Sequence, residues 1–126
     1  MLQTGENKEE LEKLLNHYLT AEQELKKIAA ELRLNPIEFK IITRLGLEGI
    51  TTPENAIIMT ELSHDSETSQ SHASRVLEKF RKEGLIGVAL RESERRCRWV
   101  YLSEKGQDLY QRTLELLEQQ NKEKET

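Results

Sequence analysis

Between Ser69 and Leu102 the chain carries an amphipathic helix that runs directly into a short hairpin with arginines crowded at its tip, and few folds accommodate that order. Ala73, Val76, Leu77 and Phe80 recur at the three-and-four spacing of one buried stripe. Gln70, Ser71, Ser74, Arg75, Lys79 and Lys82 fall on the other faces. Gly84 is placed to end the helix as a left-handed cap. Leu85 to Leu90 then reads as a strand, and Cys97 to Leu102, carrying Trp99, Val100 and Tyr101, as its hairpin partner. Arg91, Arg95 and Arg96 lie between the strands, with Arg98 just beyond.

The rest of the chain is helical in pattern. Leu11, Leu14, Leu15, Tyr18, Ala21, Leu25, Ile28, Ala29 and Leu32 hold a near-heptad stripe, which predicts a helix over 8–32. One small domain can hardly bury a stripe of that length, so it favours a partner helix from a second copy of the chain. Asn35-Pro36-Ile37-Glu38 is an N-cap, a proline at the first helical position and a carboxylate spaced for a capping box. Phe39, Ile42 and Leu45 give that helix its inner face, and Gly46 or Gly49 ends it. Thr52-Pro53-Glu54 predicts a third helix that carries Ala56, Ile57, Ile58, Met59 and Leu62, and the polar run from Ser63 to Thr68 forces a turn. Ser103 caps a last helix with Leu109, Tyr110, Leu114, Leu116 and Leu117 apolar, and the charged tail from Asn121 is expected to fray.

At 126 residues the chain suffices for one domain with a proper core. Its formal net charge of −4 argues, taken whole, against a nucleic-acid partner. By segment the argument reverses: residues 72–100 hold eight Lys or Arg against four Glu, and both flanks are acidic. No apolar run is long enough to cross a bilayer, and the N-terminus lacks the regions of a signal peptide, so no membrane partner and a cytoplasmic, nucleoid-associated location are expected. A single cysteine forms no internal disulfide. His17, His64, His72 and Cys97 lack ligand spacing, and no glycine-rich phosphate loop or localised nucleophile set is present, so neither a metal, a cofactor nor an enzyme is expected.

The string SQSHASRVLEKFRKEGLI resembles the recognition helix of the MarR family of winged helix-turn-helix transcriptional regulators and its exit into the wing. RESERRCRWVYLSEKG resembles that family's wing and the start of its dimerisation helix, and NPIEFKIITRL the helix ahead of the reading head, so the likeness spans roughly 33–118. The family's usual wing aspartate is here Glu94, the connection from Leu62 to Ser69 is longer than a minimal turn, and the chain is compact, closer in size to SarA-like members. The resemblance implies a mainly α fold with a small β-hairpin, a winged helix-turn-helix with long N- and C-terminal dimerisation helices. In this single domain (1–126) the dimerisation helix is 8–32, the winged core 35–102, the C-terminal dimerisation helix 103–120 and a flexible tail 121–126.

A polar-faced helix suits a major groove and a basic hairpin the neighbouring backbone or minor groove. The candidate contacts to double-stranded DNA are therefore Ser69, Gln70, Ser71, His72, Ser74, Arg75 and Lys79 on the helix and Arg91, Arg95, Arg96 and Arg98 on the wing. Each has a plainer alternative. Ser69 caps the helix, His72 lies half-buried, and Lys79 and Lys82 are solvated beside Glu78 or Glu83. Cys97, between Arg96 and Arg98, invites a redox-sensing role, against which stands a small strand residue packed on its neighbours. The homodimer interface is expected at Leu11, Leu14, Tyr18, Leu25, Ile28, Leu114 and Leu117. The function implied is a sequence-specific regulator on a pseudo-palindromic operator; the alternative is a winged-helix assembly module whose basic face meets an acidic protein. Many members of the family bind a small-molecule effector, but the few aromatics here give no support for one.

Overall fold

The computed structural model of the protein describes residues 6–90 and 97–125. Five α-helices frame a three-stranded antiparallel sheet: α1 (Glu6–Glu31), α2 (Pro36–Leu47), a 3-10 turn (Pro53–Asn55), β1 (Ile57–Ile58), α3 (Met59–Asp65), α4 (Gln70–Lys82), β2 (Ile86–Ala89), β3 (Trp99–Leu102) and α5 (Glu104–Glu125). The expected class, mainly α with a small hairpin, holds, with one strand more than the sequence suggested.

That extra strand is the main correction. Thr52 does act as an N-cap, but of the short 3-10 turn rather than of a helix running to Leu62. The Asn55 side chain folds the segment back on itself: its Oδ1 accepts the backbone N–H groups of Thr51 and Thr52, at 3.2 and 3.0 Å, while its Nδ2 donates to the Gly49 carbonyl at 2.8 Å. Ala56 is then extended, and the β-branched pair Ile57 and Ile58 lies opposite Val100 and Trp99 of β3. β3 is thus the central strand, with β2 on its other side in the register Ile86 to Leu102 and Val88 to Val100. The two hairpin strands are shorter than the sequence pattern implied, and α5 stays helical to Glu125 through the segment expected to fray.

Each of the first four α-helices ends in the same way, with paired backbone bonds that close the last turn around a left-handed residue. In α4 the Leu85 N–H donates to the Phe80 carbonyl at 2.8 Å and Gly84 has φ of 77°. Gly49 does the same for α2. At the ends of α1 and α3 the left-handed position falls on Arg33 (φ 62°) and Glu67 (φ 54°), where a side chain makes the conformation costly. The α3 closure also corrects the expected long connection: Ser63, His64 and Asp65 belong to the helix, and only Ser66 to Ser69 separate it from α4.

The core sits between α2, α3, α4 and the sheet. Ile41, Ile42 and Leu45 of α2, Leu62 of α3, Val76, Leu77 and Phe80 of α4, and Val100 and Leu102 of β3 form one buried cluster. α5 crosses α2 closely enough that the ring of Tyr110 covers Gly46, where any side chain would collide with it. A second, smaller cluster joins the end of α1 to α2 and α5 through Ile28, Ala29, Phe39 and Leu116. Ile28 is completely buried there. It anchors α1 to α2 and α5 of the same chain, so it is not free for the expected dimer interface, and that expectation is corrected. No helix among the described residues is long and apolar enough to cross a membrane.

The two kinds of helix end make opposite expectations. Gly84→Ala should lower stability by about 1 kcal/mol and Glu67→Gly should raise it by a similar amount, since the left-handed region costs a side-chain-bearing residue about that much. Urea denaturation checks both, and a stabilising Gly84→Ala would contradict the assignment.

Candidate nucleic-acid interface

Two properties of α4 decide what its outer surface offers: how its N-terminus is capped and which stripe is locked into the core. Ser69 is the N-cap, its Oγ accepting the His72 backbone N–H at 3.1 Å. Ala73, Val76, Leu77 and Phe80 are buried, which turns Gln70, Ser71 and Arg75 outward as exposed residues at the start of the helix. Ser74 is partly covered. His72 is half-buried, with Nδ1 3.2 Å from the Thr68 hydroxyl, as its plainer reading anticipated. The exposed opening turns are therefore a short polar strip with one guanidinium.

The cations further along α4 divide into two kinds. Arg75 and Lys82 are exposed and make no ion pair among the described residues. Arg81 is held by Glu78 through two bonds, Nη2 to Oε1 at 2.6 Å and Nε to Oε2 at 3.1 Å. That bidentate bond raises Arg81 and, aided by Lys82 and Arg98, holds the Glu78 carboxyl below the usual carboxylate range. Lys79 is paired with neither Glu78 nor Glu83 as expected from sequence: its Nζ lies 2.6 Å from Oε2 of Glu38 on α2. This partner holds the ammonium above the ordinary lysine value, so the pair's contribution is intact up to that value and fades only as pH climbs through the raised one. Sequence inspection missed Glu38 because the capping box already accounted for it.

The hairpin strands β2 and β3 follow α4. Leu90 and Arg98 are exposed at its foot, Cys97 is partly buried just before β3, and the Arg98 carbonyl accepts the Met59 N–H at 2.9 Å, tying wing to helix-turn-helix. Arg91, Arg95 and Arg96 lie outside the described residues. No cluster of His, Cys, Asp and Glu that could hold a metal ion occurs among the described residues.

No family model and no curated protein matches the chain. Solved structures do. AbsC, a MarR family transcriptional regulator from Streptomyces coelicolor, is 18% identical, with 90% of this chain and 74% of that one covered at a TM-score of 0.62. The S. aureus MepR–DNA complex is 10% identical over 91% and 88% of the two chains at 0.67, and NadR in complex with 4-hydroxyphenylacetate is 15% identical over 99% and 84% at 0.71. The fold is the MarR-type winged helix.

In this MarR-type winged helix the N-terminal part of α1 packs against neither buried cluster. Residues 7–20 are exposed throughout, including Leu14 at 64% and Tyr18 at 62%. Leu11, Leu15, Leu19 and Leu25 extend the same apolar surface, and Leu114 of α5 is also exposed, while Leu117 packs against the second cluster. An exposed apolar surface of this extent marks an interaction face. Between α1, α2 and the α3–α4 turn lies a groove of about 730 Å³, lined among others by Tyr18, Leu25, Phe39 and Leu47. The hydroxyls of Thr43 and Ser66 on its wall are buried with no hydrogen-bond partner among the described residues.

The capping role of Ser69 can be separated from any contact it makes. Ser69→Ala should cost about 1 kcal/mol of stability and Ser69→Asp should restore it, as caps of this kind do. Thermal unfolding of both variants provides the check, and an alanine variant as stable as the parent would contradict the cap.

Proposed function

We propose that the chain is a sequence-specific, double-stranded DNA-binding transcription regulator that acts as a homodimer on a pseudo-palindromic site in the cytoplasm, on the nucleoid. The observation that carries the reading is the disposition of α4, whose apolar stripe is buried while Gln70, Ser71 and Arg75 stand exposed on its opening turns, beside a hairpin foot that leads into Arg91, Arg95 and Arg96. The opening turns of a recognition helix are the part that meets base edges; Gln pairs with adenine and Arg with guanine or phosphate. His72 and Ser74 lie close enough to contribute. A MepR–DNA complex on the same fold supports the choice of a duplex as partner.

Dimerisation follows from α1. A helix of this length with an apolar face open to water is stable in water only if something covers it. The second copy, pairing through Leu11, Leu14, Tyr18 and Leu25 of α1 and Leu114 and Leu117 of α5, would set two recognition helices one turn of B-DNA apart, roughly 34 Å. A small-molecule effector has one supporting observation, the groove with its two unpartnered hydroxyls, and NadR was solved with 4-hydroxyphenylacetate.

Salt titration of binding to random duplex separates this function from a protein assembly module. A regulator should bind at low salt and weaken steeply, with a slope of log K against log salt of about −0.9 for each phosphate neutralised. Arg75→Ala should weaken binding by about 1 to 3 kcal/mol if it contacts a base and should shallow the slope if it contacts a phosphate. Negligible duplex affinity at low salt contradicts the reading and favours assembly. Separately, Leu14, Tyr18 and Leu25 changed together to Glu should yield monomers in sedimentation; a dimer that survives all three changes refutes the α1 interface.

A further inference from the structure

The recognition helix meets α2 at a polar point buried on the α2 side. Glu38 is 3% exposed, its neighbours on the inner face of α2 being Phe39, Ile41 and Ile42. Its Oε1 accepts the Asn35 backbone N–H at 2.9 Å, completing the cap of α2, and its Oε2 receives the Lys79 ammonium at 2.6 Å. A carboxylate so buried is expensive unless its oxygens are bonded and its charge balanced, and removal of one partner strands the other. Lys79 supplies the balance while remaining half exposed, its side chain 51% accessible. It sits one helical turn beyond Arg75, so the point where α4 is tied to α2 is adjacent to the strip that faces outward.

We infer that Lys79 is a positioning residue and not a phosphate contact: through Glu38 it fixes the seat of the recognition helix on α2, and so the register in which Gln70 to Arg75 meet base edges. This rests on the DNA-binding function proposed above. The remaining cations of α4 support it. Arg81 is occupied by Glu78, and Arg75 and Lys82 are the two with no ion pair among the described residues, which leaves those two to face a duplex. Apolar packing sets which face of α4 turns inward, and the ion pair adds a directional tie at one point along it.

The test uses the full-length chain and two readouts. The first needs no DNA: Lys79→Met and Glu38→Gln should both speed amide hydrogen exchange along α4 and in the first turn of α2, Lys79→Arg should restore protection, and Lys82→Met should leave it unchanged. Glu38→Gln keeps the capping geometry, since glutamine serves at that position, so its effect reports the lost charge. The second compares a duplex enriched from a random pool with random duplex across a range of salt. Lys79→Met and Glu38→Gln should each cut the ratio of selected to random affinity by about tenfold, the size of one misplaced base contact. Neither should change the salt slope, and the double variant should be no worse than either single one, as for two residues that act as a unit.

A slope shallower by about 0.9 in Lys79→Met, with Glu38→Gln binding normally, would make Lys79 a phosphate contact and overturn the inference. Unchanged α4 exchange in both variants overturns it whatever DNA does. If the parent chain binds no duplex while the exchange differences are present, the regulator function and the base-register role fall, and the tie between α2 and α4 stands.

Discussion

Burial of the α4 stripe is the constraint on which the rest depends. Phe80 and Leu102 are wholly enclosed, Val76 and Leu77 nearly so, and each such side chain gains roughly 1.5–3 kcal/mol on leaving water. Once Ala73, Val76, Leu77 and Phe80 of α4 face inward, the angle of the helix about its own axis is settled, and the outward direction of Gln70, Ser71 and Arg75 follows without any further interaction. Capping by Ser69 fixes where the helix begins, and closure around Gly84 fixes where the chain turns into the sheet. The polar strip is exposed because the apolar one is buried.

Acidic flanks and a basic centre then divide the labour. The net charge of −4 weakens long-range attraction to any polyanion, while the local excess of cations falls between residues 72 and 100 of the sequence. Within α4 that excess is smaller than it looks, because Glu78 and Glu38 each occupy one cation. What remains on α4 among the described residues is Arg75 and Lys82, beside a polar strip.

Much of this was legible in the sequence, for reasons that differ by element. The inner faces of α2 and α4 are periodic and flanked by strong start and stop residues, so their extent and burial could be read directly. α1 could be read as a helix, but not which of its turns fold back: Ile28 belongs to the same stripe as Leu14 and Tyr18, and only the meeting with Phe39 and Leu116 makes it internal. β1 was invisible because two isoleucines after a proline cap look like a helix start; the long-range partners Val100 and Trp99 decide the matter. Glu38 with Lys79 was hidden for a similar reason, the two being 41 residues apart. Local signals reveal elements, and pairings between distant elements reveal themselves only in the fold.

Selection of bound sequences from a pool of random duplexes, carried through successive rounds with the full-length chain, tests the central claim most directly. Enrichment of an inverted repeat whose half-sites are centred one helical turn apart is the expected result, because it requires base reading, two-fold pairing and the right spacing between recognition helices at once. A pool that remains random after binding, or a winner with no symmetry, would contradict it.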